Sequence, residues 1–322
     1  MMVCTIGGGS GMPIINKALI GAGFENIRSI VTTFDNGGDT GRMRTDERGR
    51  IMAFSDYWRS LISLWQDGKQ KENWEEMLRF RDGRDRNFGN IFFQFMTERV
   101  GNLSNVDVLF SELTGAKLKG AVVPVSLEPA DVCFRTKSGK EYCGEHYLDD
   151  LRMSTDVIEK VWLTNKVKAN KEAVEAIEKS EVIIICPGSM YGSVITNLLP
   201  IGIKESFCRS KAKKILMTNI MLVANENNTF SQKEYVEVFE KYLEVKNPFD
   251  LVIAVDLSKL DQRKMLKVLE YYAMENSYPL RFDKRVSGYQ TILADIGTIE
   301  NKNMRLRHSE EKLINFFKGH KF

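Results

Sequence analysis

Short apolar, β-branched runs alternate with amphipathic helical stretches along most of this chain, and the first of them sets the pattern. Met2–Ile6 is apolar and strand-sized. Glycines follow, and Pro13 suits the first turn of a helix running to about Ala22, because proline's fixed φ matches that position and its missing N–H is not needed there. Asn26–Thr33 predicts a second strand, ending in a polar, glycine-containing loop, Asp35–Arg44. Strand, helix and strand in such close succession make a βαβ unit, which implies a parallel sheet.

From Ser55 to Leu113 the pattern turns helical: Trp58, Leu61, Ile62 and Trp65 recur at helix spacing, with Ser55 and Ser104 as expected N-caps. Between Ala121 and Thr164 the period switches to two. Val132–Thr136 and Glu141–Gly144 flank Lys137-Ser-Gly-Lys140, a hairpin turn, and Pro124 assigns an edge position to Ala121–Leu127. The alternation then resumes with helix Lys171–Ser180, strand Glu181–Cys186, loop Pro187–Gly192, a helix near Ile201–Ser210 and strand Lys214–Asn219. A capping box, Ser231 with Glu234, opens the next helix. Strand Leu251–Asp256, helix Asp261–Asn276, a last strand at Thr291–Ala294 and a closing helix at Ser309–Phe317 complete the chain. These elements predict a three-layer α/β fold over residues 1–322, with a mainly parallel sheet and a helical and β-hairpin elaboration in the middle. Within it, residues 1–54 form a first nucleotide-binding unit, 55–120 a helical segment, 121–164 a small antiparallel β-hairpin elaboration and 165–322 the remaining core.

Composition narrows the function classes. Of 322 residues, 43% are apolar and 28% charged, the balance of an ordinary folded protein. Forty-six Lys and Arg against 43 Asp and Glu leave a net charge of +3, too slight to argue for a nucleic-acid or membrane partner. No run approaches the ~18 apolar residues of a membrane span, and Met1–Gly11 lacks the layout of a signal peptide. The five cysteines, an odd set with no C-x-x-C pair, read as reduced thiols of a cytoplasmic protein. Three histidines leave few candidates for a His/Cys zinc site or a Ser-His-Asp triad.

The candidate chemistry lies in loops that follow strands. Gly7-Gly8-Gly9-Ser10-Gly11 joins the first strand to the first helix, where backbone N–H groups at a helix start can face a phosphate. The pattern is neither Walker nor G-x-G-x-x-G, since Met12 stands where the last glycine would fall. Asp35-Asn36-Gly37-Gly38-Asp39-Thr40-Gly41-Arg42 follows the second strand and offers carboxylates for a divalent metal and an arginine for phosphate charge. Pro187-Gly188-Ser189-Met190-Tyr191-Gly192 and the set from Asn219 to Asn228 follow two later strands. In an open parallel sheet such loops share one edge, where ligands bind. A nicotinamide-dependent dehydrogenase is an alternative, with Asp35 on the ribose hydroxyls, but the altered glycine spacing disfavours it. Trp58, Trp65 and Trp74 read as core rather than as a stacking platform.

In these loops the chain resembles the 2-phospho-L-lactate transferase and gluconeogenesis-factor family (CofD/YvcK-like). The resemblance is carried by Ile6–Gly11, Val31–Arg44, Phe88-Gly-Asn90, Val161–Thr164, Cys186–Tyr191, Asn197–Ile203, Thr218–Met221 and Leu306–Leu313, in the family's order and over nearly the whole chain. It implies a Rossmann-like fold, commonly dimeric, and a nucleotide-diphosphate ligand. One branch transfers a phospho-lactyl or phospho-enolpyruvyl group from a guanosine diphosphate carrier to a deazaflavin hydroxyl, with Mg²⁺ and loss of GMP. The other resembles UDP-sugar-binding regulators of carbon metabolism and cell-wall synthesis, and the Gly-Asp-Thr-Gly-Arg-Met-Arg and Pro-Gly-Ser-Met-Tyr loops are in its style. The implied roles put Gly7, Gly8, Gly9, Ser10 and Gly11 on the phosphates, with Asn36, Gly37 and Gly38 beside them. Asp35 and Asp56 are implied as Mg²⁺ ligands and catalytic groups, with Arg42 assisting. Asn90 and Asn219 are implied to orient the ligand, and Pro187, Gly188, Ser189 and Tyr191 to close over it. Three positions depart from the pattern: Asp35-Asn36 replaces two adjacent aspartates, Ser55–Arg59 keeps Asp56 but not the Arg and Asn after it, and Asp85-Arg86-Asn87 lacks the histidine before Gly-Asn.

Overall fold

The structure is a computed structural model that describes residues 1–36, 38–46, 52–66, 68–283, 288–300 and 303–320. Strand β1 (Val3–Gly7), helix α1 (Gly11–Gly21) and β2 (Ile27–Val31) form the expected βαβ unit. The polar stretch after it, expected as loop, is partly helical: α2 spans Gly38–Asp46. The helical segment resolves into α3 (Ser55–Leu64), α4 (Lys69–Arg79), α5 (Phe88–Val100) and α6 (Val106–Thr114). Neither expected serine cap forms: α3 begins at Ser55 itself, and Ser104 lies in a 3-10 turn where its Oγ accepts from Asn170 Nδ2 at 2.9 Å. Asn87 caps α5 instead, accepting from the Asn90 N–H.

Strand β3 (Gly120–Pro124) pairs with β2 in parallel and sits at the edge of the central sheet, where proline's missing N–H is tolerated. It is therefore part of the main sheet and not of the antiparallel elaboration. That unit consists of β4 (Val132–Thr136), β5 (Glu141–Cys143) and, after helix α7 (His146–Asp150), β6 (Ile158–Leu163), in the order β5-β4-β6. Its register places Cys133 opposite Cys143, and the two form a disulfide with Cα atoms 4.0 Å apart. The expectation of five reduced thiols is corrected here: a turn of known length sets two cysteines ten residues apart face to face. Cys4 and Cys186 remain free and buried, and Cys208 is free and exposed.

The second half alternates as expected: α8 (Lys171–Lys179), β7 (Val182–Ile185), α9 (Ile203–Arg209), β8 (Lys213–Met217), α10 (Ala224–Asn227) and α11 (Gln232–Leu243). Then come β9 (Leu251–Val255), α12 (Gln262–Met274), β10 (Gln290–Ala294) and the closing α13 (Glu310–Gly319), capped by Ser309. Before that helix lies a feature the periodicity missed. The antiparallel pair β11 (Gly297–Glu300) and β12 (Arg305–His308) means that β10 is not the last strand.

The seven-stranded sheet has the order β10-β9-β8-β7-β1-β2-β3, with every neighbouring pair parallel. Period-two alternation sends successive residues to opposite faces. Val3, Val182 and Ile184 pack under α1, α3, α5 and α13, whereas Cys4, Ile183 and Ile185 pack against α8, α9, α11 and the antiparallel unit. The result is the expected three-layer α/β architecture. The chain runs outward from β1 to β3, returns, and runs outward the other way from β7. The β1/β7 boundary is thus the switch point, where a crevice opens beyond the carboxyl ends of the strands. Among the described residues no helix is long and apolar enough to cross a membrane.

Candidate functional site

The turns after β1 and β7 meet at this switch point. Gly9 adopts a φ of +63°, the left-handed conformation that suits glycine and starts α1 two residues on. Gly11 lies so close to the second turn that a β-carbon there would stand 2.1 Å from the Pro187 carbonyl oxygen. Gly9, Ser10, Gly11, Pro187, Gly188 and Ser189 line one cavity of about 1160 Å³. Asp35, Asp56, Asn90 and Asn219, from other strand ends and helices, line it as well.

Several predicted residues serve the site indirectly. Gly7 lies at the strand end, where its carbonyl accepts from Asn197 Nδ2 at 3.0 Å, and Gly8 lies under the Asp56 carboxylate. Neither lines the cavity. Asn219 clamps Gly188, accepting its N–H at 2.9 Å and donating Nδ2 to its carbonyl at 2.7 Å. Asn90 accepts from Trp58 Nε1 at 3.1 Å and donates to Asp39 Oδ2 at 2.9 Å. Both amides therefore hold protein groups in place while they line the cavity. Ser189 donates from Oγ to Glu226 at 2.5 Å and accepts the Gly192 N–H, and Tyr191 is buried in the core behind this turn.

Two of the named side chains do not line the cavity. Arg42 donates to the Asp85 carbonyl at 2.7 Å, pairs with its carboxylate at 3.3 Å and stands 3.7 Å from Asp39 Oδ1. The arginine that does line the cavity beside Asp56 is Arg59, 3.7 Å from that carboxylate and stacked over the Trp58 ring. Asn36 is the second: its Oδ1 accepts the His146 N–H at 3.0 Å and its Nδ2 donates to Asp131 at 3.4 Å. Gly38 opens α2, and Gly37 lies outside the described residues.

By pinning His146, Asn36 fixes helix α7, and this delivers a carboxylate that sequence reasoning missed. Glu145, just before α7, lines the cavity beside Asp35. Burial first, and then the Asp35 carboxylate, push the Glu145 pKa well above the usual carboxylate range. Asp56 is raised to about 6, again by burial and then by Asp35, with Arg59 and the Gly9 N–H opposing. Asp35 accepts from Ser55 Oγ at 2.9 Å, and Asp56 accepts the Gly9 N–H at 2.9 Å. Glu226, buried under the second turn, has its pKa raised by burial, while the Ser189 hydroxyl and the Met190 N–H lower it. No local pattern marks Glu145. Glu226 lies within the 219–228 set but looks like an ordinary helix residue.

A diphosphate on the Gly9–Gly11 turn would face Asp35 and Asp56. Like charges this close in a partly desolvated site need a cation between them. Among the described residues no three His, Cys, Asp or Glu side chains form a ready metal cage. Mg²⁺ does not need one, since it typically binds through one or two carboxylates, substrate phosphates and water. Asp35 and Asp56 fit that mode.

Comparison with known proteins identifies the family. Residues 3–297 match the model of the family described as 2-phospho-L-lactate transferase CofD. A relative in Thermotoga maritima bearing the provisional name gluconeogenesis factor is 30% identical over 97% of both chains. The gluconeogenesis factor of Listeria monocytogenes is 28% identical over 75% of this chain and 73% of its own. A crystal structure of a Bacillus halodurans protein, described as a member of the UPF0052 family, superposes with a TM-score of 0.84 at 26% identity, covering 98% of each chain. The family match sets aside the dehydrogenase alternative, and the chain belongs to the CofD family, with gluconeogenesis factors among its relatives.

Proposed function

We propose that this protein binds a nucleotide diphosphate in the switch-point cavity and acts as a UDP-sugar-binding regulator of the gluconeogenesis-factor type. The observation that carries this reading is the interlocked pair of turns, in which only glycine at position 11 lets the first turn close on Pro187. Ser10 and Gly11 bring helix-start N–H groups to the cavity, and such groups favour phosphate oxygens. Asp35 and Asp56 would hold Mg²⁺, which supplies neutralisation of the diphosphate charge. Arg59 is the nearby cation of the chain itself. Ile220, Met221 and Tyr272, which also line the cavity, offer apolar and aromatic surface suited to a base. The homodimer implied by the family resemblance belongs to the same proposal and is checked by sedimentation velocity.

Thermal-shift and calorimetric titration with UDP, UDP-sugars and GDP, each with and without Mg²⁺, test the reading. A ligand at 100 times its Kd adds about 2.7 kcal/mol to folding stability, a readily measured increase in Tm. A Mg²⁺-dependent shift with UDP-sugars and no turnover is expected. GMP release in the presence of a deazaflavin acceptor would move the protein to the transferase branch. No shift with any nucleotide would refute the proposal.

A further inference from the structure

One pair of the five cysteines is bridged, and it lies at the root of a cavity wall. The bridge ties Cys143, exposed on β5, to Cys133, which is 1% exposed on β4. The fold holds these two strands unequally. β4 is the middle strand of its sheet, paired with β5 on one side and β6 on the other. β5 is a three-residue edge strand whose neighbour in that sheet is β4 alone. So short an edge has few ladder hydrogen bonds to keep it in place, and the covalent link is its firmest tie.

That tie is passed directly to the cavity. Two residues, Gly144 and Glu145, separate Cys143 from α7. The junction has no slack: Gly144 holds a φ of +129°, its N–H donates to the Val132 carbonyl at 2.8 Å, and a β-carbon there would stand 2.6 Å from the His146 ring. Beyond it, Glu145 and Leu148 line the cavity and brace its second turn. A β-carbon on Gly192 would come within 2.8 Å of Glu145 Oε1 and 3.1 Å of Leu148 Cδ1. Side-chain hydrogen bonds from Asn36 to His146 and from Asn225 to the Leu148 carbonyl hold α7 itself. Its far end rests on an exposed pair, Arg152 with Glu275 at 3.3 Å, and on Asn276 Nδ2 donating to the Met153 carbonyl at 3.2 Å. Exposed pairs of this kind add little.

We infer that the Cys133–Cys143 pair is a reversible redox switch that sets the order of the α7 wall and, through it, the ligand affinity of the cavity. The chemistry is thiol–disulfide exchange with a small thiol such as glutathione. A thiolate attacks the exposed Cys143 sulfur, forms a mixed disulfide there and releases Cys133, which takes up a proton. A second thiolate attacks the small-molecule sulfur of the mixed disulfide, Cys143 leaves and is protonated, and the reductant departs as its own disulfide. Two electrons have passed to the protein, and the disulfide form of the same compound reverses both steps. Exposure of Cys143 admits the attack, which a bridge buried at both sulfurs resists. Oxidised, the link pins β5 and seats Glu145 and Leu148 on the second turn. Reduced, β5 keeps its short ladder alone, and Glu145 loses its fixed place. The effect on affinity rests on the nucleotide-diphosphate reading above; the effect on α7 does not.

Amide hydrogen exchange of the full chain in oxidised and in reduced glutathione tests the switch, with residues 144–152 as reporter and α11 as internal standard. Reduction should speed exchange over 144–152 by about tenfold or more and leave α11 within about twofold. Return to oxidised glutathione should restore slow exchange. Cys143→Ser should exchange at the fast rate in both buffers, which separates loss of the bridge from any other action of the reductant. Calorimetric titration with UDP, UDP-glucose and GDP, each with Mg²⁺, should show binding weaker by about threefold or more in the reduced state, and no such difference in Cys143→Ser. Equal exchange over 144–152 in the two buffers would overturn the switch, as would five free thiols after incubation with oxidised glutathione. Altered exchange with equal affinities would refute the control of binding. If none of the three nucleotides binds in either state, the nucleotide reading falls and the control of binding with it, while the exchange comparison still decides the switch.

Discussion

Replacing Asp56 with asparagine should make the ligand-free protein more stable, and only above acidic pH. Asp56 is 5% exposed, and its pKa is raised from 3.8 to about 6 by burial first and by the neighbouring Asp35 second. At about 1.4 kcal/mol per pH unit, ionising this group in the folded state costs ~3 kcal/mol. The sign follows from proton uptake: the folded state holds this proton more tightly than the unfolded chain. Its contribution to stability is therefore full below pH 3.8 and is lost as pH rises through about 6. Asparagine has the same shape, cannot ionise, and keeps an oxygen for the Gly9 N–H that Asp56 now accepts at 2.9 Å. Urea denaturation in the presence of a chelator should show a gain under ~1 kcal/mol near pH 4 and ~2–3 kcal/mol near pH 8. The variant should at the same time lose the Mg²⁺-dependent part of its nucleotide affinity, a trade of function for stability. A gain equal at both pH values, or no gain near pH 8, would show that Asp56 is not a strained buried carboxylate.

Three other perturbations reach different parts of the site. Gly11→Ala sets a β-carbon 2.1 Å from the Pro187 carbonyl oxygen; forcing the turns apart should cost ~1–3 kcal/mol by thermal melting and weaken nucleotide binding by about tenfold or more, and a wild-type titration would refute the interlock. Asn36→Asp restores a second aspartate but removes the Nδ2 donor to Asp131. Like charges should then loosen α7, visible as faster amide exchange over residues 145–152, and unchanged exchange would show that Asn36 does not hold that helix. Cys133→Ser opens a disulfide spanning ten residues, for which loop-closure entropy predicts a loss of about 2–3 kcal/mol. If reductant lowers the Tm of the wild-type chain and leaves the variant's unchanged, the bridge is confirmed; a free-thiol count of five in the unreduced native protein would exclude it.

What local pattern can encode was legible in the chain. Period-two and helix-period runs located the strands and helices of the core, Pro124 marked the sheet edge, and Ser231 with Glu234 formed the capping box. The Gly7–Gly11 turn and the Pro187–Gly192 turn could both be read as strand-end loops, because glycine placement and strand length act over a few residues. Boundaries failed where polar sequence hid regular structure, as in α2 and the β11–β12 pair.

Side-chain destinations were decided elsewhere. Arg42 and Asn36 sit in the right loop, yet the fold turns them to Asp85 and His146. Glu145 reaches Asp35 from 110 residues along the chain, because an antiparallel unit between β3 and α8 folds back over the switch point. Cys133 meets Cys143 only once the hairpin register is set. The sequence by itself determined the alternation, the Ser231/Glu234 capping box and the glycine turns, all of which depend on interactions between near neighbours. Which carboxylates share the cavity and which amides hold its loops were settled by tertiary structure. Those outcomes depend on strand order and register, which bring distant residues within a few ångströms and cannot be read from spacing along the chain.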